Sequence, residues 1–309
     1  MKATAIWLAI LAVGFGVMVA CRWGLPAPWR PASRAATAPA ATGRAASARV
    51  ASASAAASAP AKPGRRVALV GPRRFFLFLG GLSLMMLGGS ALLMRLYARL
   101  VTRRKAWAFD SPLVVMYRYR RLLCWLHVAF FGAVIAFAAV AYAAPDVQGE
   151  LVRDVHNSIH SGEGPLGMAG EAYLSRNIAY AAAVTLGVNF VLGSLLSITV
   201  PSMIIPAAGL LVAGIRAVVW GLVVSPTFPE LMRPMVPHSF TLLLEGEAYI
   251  LAGFFAVMVP VYLWRKGQGG FARRYGKAAV LNVKGNVVVL IVLAVAAIYE
   301  AIEVIAMLP

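Results

Sequence analysis

The sequence predicts an all-α fold: a polytopic transmembrane helical bundle with a five-span core, preceded by one or two further spans. Three observations predict it. The 309-residue chain is 61% hydrophobic and 13% charged, with a mean hydropathy of +0.78, whereas a soluble domain carries roughly 25% charged residues. Seven stretches stay apolar over the roughly 20 residues a helix needs to cross a hydrocarbon core. They are also too long and too continuously apolar to be the roughly 10-residue alternating strands of a membrane barrel.

Taken in order, the first stretch (4 to 20) follows Lys2, so residues 1 to 21 suit a signal anchor or a signal sequence. Ala20 and Cys21 resemble the end of a lipoprotein cleavage site, although Met18 and Arg22 are poor flanking residues. Residues 22 to 74 are rich in Ala, Ser, Pro and Arg and hold almost nothing able to build a core, which predicts a disordered tether. An additional transmembrane helix follows at 75 to 94, then a basic segment at 95 to 121. The core, 122 to 309, contains spans at 122 to 144, 178 to 199, 207 to 225, 240 to 264 and 286 to 307, with a sizeable loop at 145 to 177. Pro201, Ser202 and Pro206 predict a tight turn and hence a helical hairpin. Gly187, Gly193, Ser194, Gly209, Gly214 and Gly221 are small enough for helix backbones to approach closely.

The net charge of +18 is unevenly placed. Residues 1 to 121 hold 19 Lys/Arg and a single acid, Asp110, while residues 122 to 309 hold 10 basic and 10 acidic residues. That distribution points to membrane topology and to contact with anionic lipid headgroups, not to nucleic acid. Segments 95 to 121 and 265 to 285 are expected on the cytoplasmic side of a bacterial plasma membrane. The acidic loop 145 to 177 and the Pro226, Pro229 and Pro234 loop are expected outside. Two cysteines, Cys21 and Cys124, do not make a disulfide framework.

Charged and amide side chains inside a span are costly and usually face a bundle interior. Here they are Asn177 and Asn189, Arg216, His238, Glu245 and Glu247, and Glu300 and Glu303. His238 and Glu245, seven apart, share a helix face, as do Glu300 and Glu303 at a spacing of three. They form one candidate intramembrane polar cluster, either an ion or proton path or a set of packing contacts in which Arg216 pairs with a glutamate. His156 and His160 in the acidic loop lack the Glu of a zincin helix, Asn157 standing in its place, and are expected in solvent. No catalytic constellation, cofactor motif or metal-ligand spacing is apparent.

The segment from 176 to 221, the run PHSFTLLLEGEAYILAGF at 237 to 254, and AAIYEAIEV at 296 to 304 resemble the stage II sporulation protein M family of integral membrane proteins. The likeness covers about residues 95 to 309. It implies a five-span core behind a cytoplasmic basic segment, with one sizeable external loop after the first core span. Ser239 follows His238 where the family commonly has Gly. The resemblance implies a non-enzymatic scaffold or membrane subunit of an envelope-associated complex, with other membrane or envelope proteins or a second copy of the chain as partners. The alternative is a permease-like component moving an ion or small substrate, with or without a separate ATPase. A membrane-embedded hydrolase using His238 and Glu245 lacks a nucleophile.

Overall fold

The computed structural model describes residues 2 to 22, 69 to 103, 111 to 264 and 269 to 308. The predicted tether lies mostly outside the described residues. The described chain is helical, without strands. Among the described residues, six helices are long and apolar enough to cross a membrane.

Helix α1 (Lys2–Arg22) pairs with α2 (Pro72–Arg103). Small residues make the crossing close. A Cβ on Gly81 would lie 2.7 Å from the Gly14 carbonyl oxygen, and one on Gly88 would lie 2.8 Å from the Leu11 nitrogen. The pairing of Met18 with Gly81, Leu11 with Gly88 and Thr4 with Arg99 makes the two helices antiparallel. A short helix, α3 (Pro112–Arg118), precedes α4 (Arg120–Ala143).

The segment expected as a solvated loop at 145 to 177 is instead two helices, α5 (Pro145–His160) and α6 (Gly164–Leu174). In α5, Val147, Leu151, Val155 and Ile159 recur every four residues and form one apolar stripe. Pro145 opens the helix and Asp146 sits in its first turn, both favourable there. Gly162 and Gly164 take positive φ angles in the turn between α5 and α6, a conformation glycine adopts without steric cost. Gln148 is fully buried and donates to the Ser225 carbonyl at 2.7 Å, tying α5 to the loop beyond α9.

Helix α7 (Ile178–Gly187) continues into a π-helical segment, Val188–Thr199, and then α8 (Val200–Ile204). The expected tight turn follows, with Ala207 in the left-handed region at φ 75°. Ser202 braces it by accepting from the Gly209 amide at 2.8 Å and donating to the Ile198 carbonyl at 2.7 Å. The hairpin's second arm, α9 (Ala208–Val223), has 16 residues, about 24 Å at 1.5 Å per residue.

Helix α10 (Pro229–Trp264) starts well before the expected position 240 and takes Pro234 and Pro237 into its first turns. Helix α11 (Phe271–Met307) starts before the expected 286, so most of the basic segment 265 to 285 is helix. The apolar stretch marks where a helix meets hydrocarbon. The backbone ladder continues past it into polar sequence, because its hydrogen bonds do not depend on the side chains being apolar.

The helices run alternately between two ends. One gathers Val70, Gln148, Ser225 and Thr227, with the Val70 amide donating to the Thr227 carbonyl at 2.9 Å. This end carries the acids of α5 and α6 together with Arg73, Arg74, Arg153 and Arg233, and is the acidic end only by contrast with the other, which holds no carboxylate among the described residues. The other carries Arg95, Arg99, Arg118, Arg120, Arg121, Arg273 and Lys277 and is basic. Helix α10 is buried along most of its length, with Ala248, Tyr249, Leu251, Phe254 and Phe255 fully enclosed. Around it, Leu211, Ile215, Ile291, Ile298 and Ile302 are exposed outward, the apolar rim expected of a bundle in lipid.

Candidate functional site

Two polar clusters flank α10. Glu245 and Glu247 are two residues apart, so in an α-helix they point about 200° apart, to opposite sides.

On the first side, Glu247 is fully buried. Its Oε1 accepts from the Tyr97 hydroxyl of α2 at 3.0 Å, and its Oε2 lies 2.6 Å from His127 Nε2 of α4. His127 Nδ1 is 2.7 Å from the Leu123 carbonyl. A carbonyl only accepts, so Nδ1 carries hydrogen, and the Nε2–carboxyl contact then holds one proton in either partition: imidazolium with carboxylate, or neutral ring with carboxylic acid. Sequence reasoning missed His127 and Tyr97. A lone histidine in an apolar run has no partner at helical spacing, and Glu247 is 120 residues away.

The second cluster lies among α7, its π-helical continuation, α10 and α11. Near the acidic end, Glu303 accepts from the Thr241 hydroxyl at 2.8 Å and sits 3.3 Å from His238 Nδ1. One turn along α11, Glu300 adjoins Tyr173 of α6 and Glu245 of α10. Tyr173, outside the long apolar helices, also bonds Thr185 at 2.7 Å. Burial, then the negative field of Glu300, hold its phenol well above the usual tyrosine range. Asn189 bridges onward, its amide donating to Glu245 and its carbonyl accepting from the Tyr249 hydroxyl at 3.1 Å. Towards the basic end, Asn286 of α11 receives the Ser194 hydroxyl at 3.5 Å and the Thr199 hydroxyl at 3.2 Å, with Asn282 beside it.

The π-helical segment explains why these side chains line up. Asn189, Ser194 and Thr199 are spaced by five, the hydrogen-bond repeat of a π-helix. An α-helix would turn successive members about 140° apart. Polar groups thus extend along α10 and α11 from Glu303 to Asn286, with Glu300 Oε2 and Asn282 Nδ2 buried and lacking hydrogen-bond partners and Glu303 Oε1 met only by His238 Nδ1.

Arg216 of α9 does not form the expected ion pair with a glutamate. Its guanidinium lies over the Tyr249 ring, 4.1 Å from the centroid, a cation–π contact. A Cβ on Gly193 would lie 2.9 Å from the Tyr249 hydroxyl and 3.1 Å from Arg216 Nη1, so this glycine makes room for both.

Of the eight side chains expected in one cluster, six meet here: Asn189, Arg216, His238, Glu245, Glu300 and Glu303. Glu247 belongs to the His127 cluster on the far side. Asn177 is exposed and caps α7, its Oδ1 accepting from the Tyr180 amide at 3.1 Å. His156 and His160 share an exposed face of α5, ring centroids 4.0 Å apart. Among the described residues, no three His, Cys, Asp or Glu side chains converge to hold a metal ion. No protein-family model, curated protein or solved structure matches the chain.

Proposed function

We propose that this multi-pass membrane protein is a permease-like component that passes protons or a small cation along the polar groups between the π-helical segment, α10 and α11. One observation carries the reading: three carboxyls, Glu245, Glu300 and Glu303, lie in sequence along an otherwise apolar bundle, with Glu300 Oε2 buried and without a hydrogen-bond partner and Glu303 Oε1 facing the His238 imidazole at 3.3 Å. Side-by-side carboxyls away from bulk water need positive charge among them, from His238, Arg216, a proton or a bound cation. A π-helical stretch beside them supports the same reading, since such segments recur at functional sites.

The orientation proposed with it puts the basic end in the cytoplasm of a bacterial cell and the acidic end outside, following the positive-inside rule. The test is proton or sodium flux in reconstituted vesicles, followed with an entrapped indicator. Glu245→Gln and Glu300→Gln are expected to lower flux at least tenfold while thermal unfolding in detergent shifts by only a few degrees. Equal loss of flux and folding would assign these residues to packing.

The scaffold reading competes, supported by the resemblance to the sporulation M family and by the close helix crossings at Gly14, Gly81 and Gly221. It expects wild-type vesicles no leakier than empty ones under either gradient, and a membrane or envelope partner retained through mild-detergent purification.

A further inference from the structure

On the side of the bundle away from the polar column, a cavity of about 760 Å³ lies among α1, α2, α3 and α4. Along most of its length the wall is apolar, with Met86, Leu87, Phe131, Ile135 and Ala136. A Cβ on Gly132 would meet nothing within 4 Å, so the cavity reaches the backbone of α4 there. Its opposite end, at the basic face, holds Arg95, Arg120 and Arg121. Arg120 stacks on Tyr117, and no carboxylate pairs with any of these three arginines among the described residues.

Size and polarity limit the occupant. From Arg120 to Ala136 along α4 is about 24 Å, against about 15 Å for one leaflet of hydrocarbon. A nucleotide or sugar would set polar atoms against the apolar wall without hydrogen bonds. An extended acyl chain fits the wall, and a phosphate fits the planar donors of arginine.

We infer that this cavity binds one phospholipid with an anionic headgroup. Its chain runs along α2 and α4 past Phe131 to Ala136, and its phosphate sits among Arg95, Arg120 and Arg121. The site is independent of the polar column, so either assignment stands or falls without the other.

A native probe is already in place: Cys124 is exposed and lines the cavity, whereas Cys21 is buried. Full-length protein in dodecyl maltoside is reacted with a maleimide while phosphatidylglycerol is titrated in. The expected result is at least tenfold slower Cys124 labelling, saturating near one lipid per chain, with phosphatidylcholine needing at least tenfold more. Arg95→Gln with Arg121→Gln should raise the phosphatidylglycerol requirement at least tenfold. The exposed pair Arg273→Gln with Lys277→Gln, outside the cavity, should leave it unchanged. Gly132→Phe, placed in open space, should remove the lipid adduct seen by native mass spectrometry without altering the elution profile. Equal protection by both lipids, equal effects of the two charge pairs, or reversal by millimolar inorganic phosphate would overturn the assignment.

Discussion

His127 and Glu247 depend on one another because both are buried. Removing the imidazole leaves a carboxyl with a single hydrogen-bond donor, Tyr97, in a fully buried position. Breaking a buried pair in this way typically costs about 3–5 kcal/mol. His127→Ala is therefore expected to lower the unfolding temperature in detergent much more than Tyr97→Phe, which removes one neutral donor at about 1–3 kcal/mol. Similar shifts for the two variants would show that no proton-sharing contact is made. At this scale the sequence was half legible. Glutamates stand out in apolar runs, so all four were found. Asn189 and His238 were found with them, but Tyr97, Thr241 and Tyr173 were not, because they are unremarkable residues until the fold brings them to a carboxyl.

Helix pairs are set by where the backbone is bare. Gly81 faces the Gly14 carbonyl, and the backbone there cannot move aside as a flexible side chain does. Gly81→Leu is expected to destabilise the protein by about 1–3 kcal/mol and to expose Cys21 to thiol reagents. Gly80→Leu, whose Cβ meets nothing within 4 Å, should do neither. A matched loss in both variants would remove the close crossing as the cause. The apolar cores of the long helices were legible from composition. Two features were not. The α5 stripe is diluted by charge and falls below any span criterion. The π-helical register of Asn189, Ser194 and Thr199 has no signature in an analysis that assumes 3.6 residues per turn.

Among the described residues, the six long apolar helices and the short α9, which runs from the Ser202 turn to the Gln148 contact, alternate between an acidic and a basic end. This path was legible because one end carries lysine and arginine without carboxylates among the described residues, whereas at the other end Arg73, Arg74, Arg153 and Arg233 are mixed with acids. It also predicts sidedness. In a Cys124→Ala background, a membrane-impermeant maleimide should label His160→Cys in intact cells and Thr102→Cys only after lysis; the reverse pattern would invert the proposed orientation.

Helix α9 stands beside Glu245 and carries Arg216, yet its 16 residues reach about 24 Å against a hydrocarbon thickness of about 30 Å. A bilayer meeting this arm must thin locally or draw headgroups inward, at a cost of fractions of a kcal/mol per Å of mismatch. Water then stands closest to the bundle's buried carboxyls where the hairpin is shortest, and thicker membranes would oppose that approach. Lengthening the lipid acyl chains in reconstituted vesicles thereby becomes a dial on the protein, acting through α9 without touching a single polar residue.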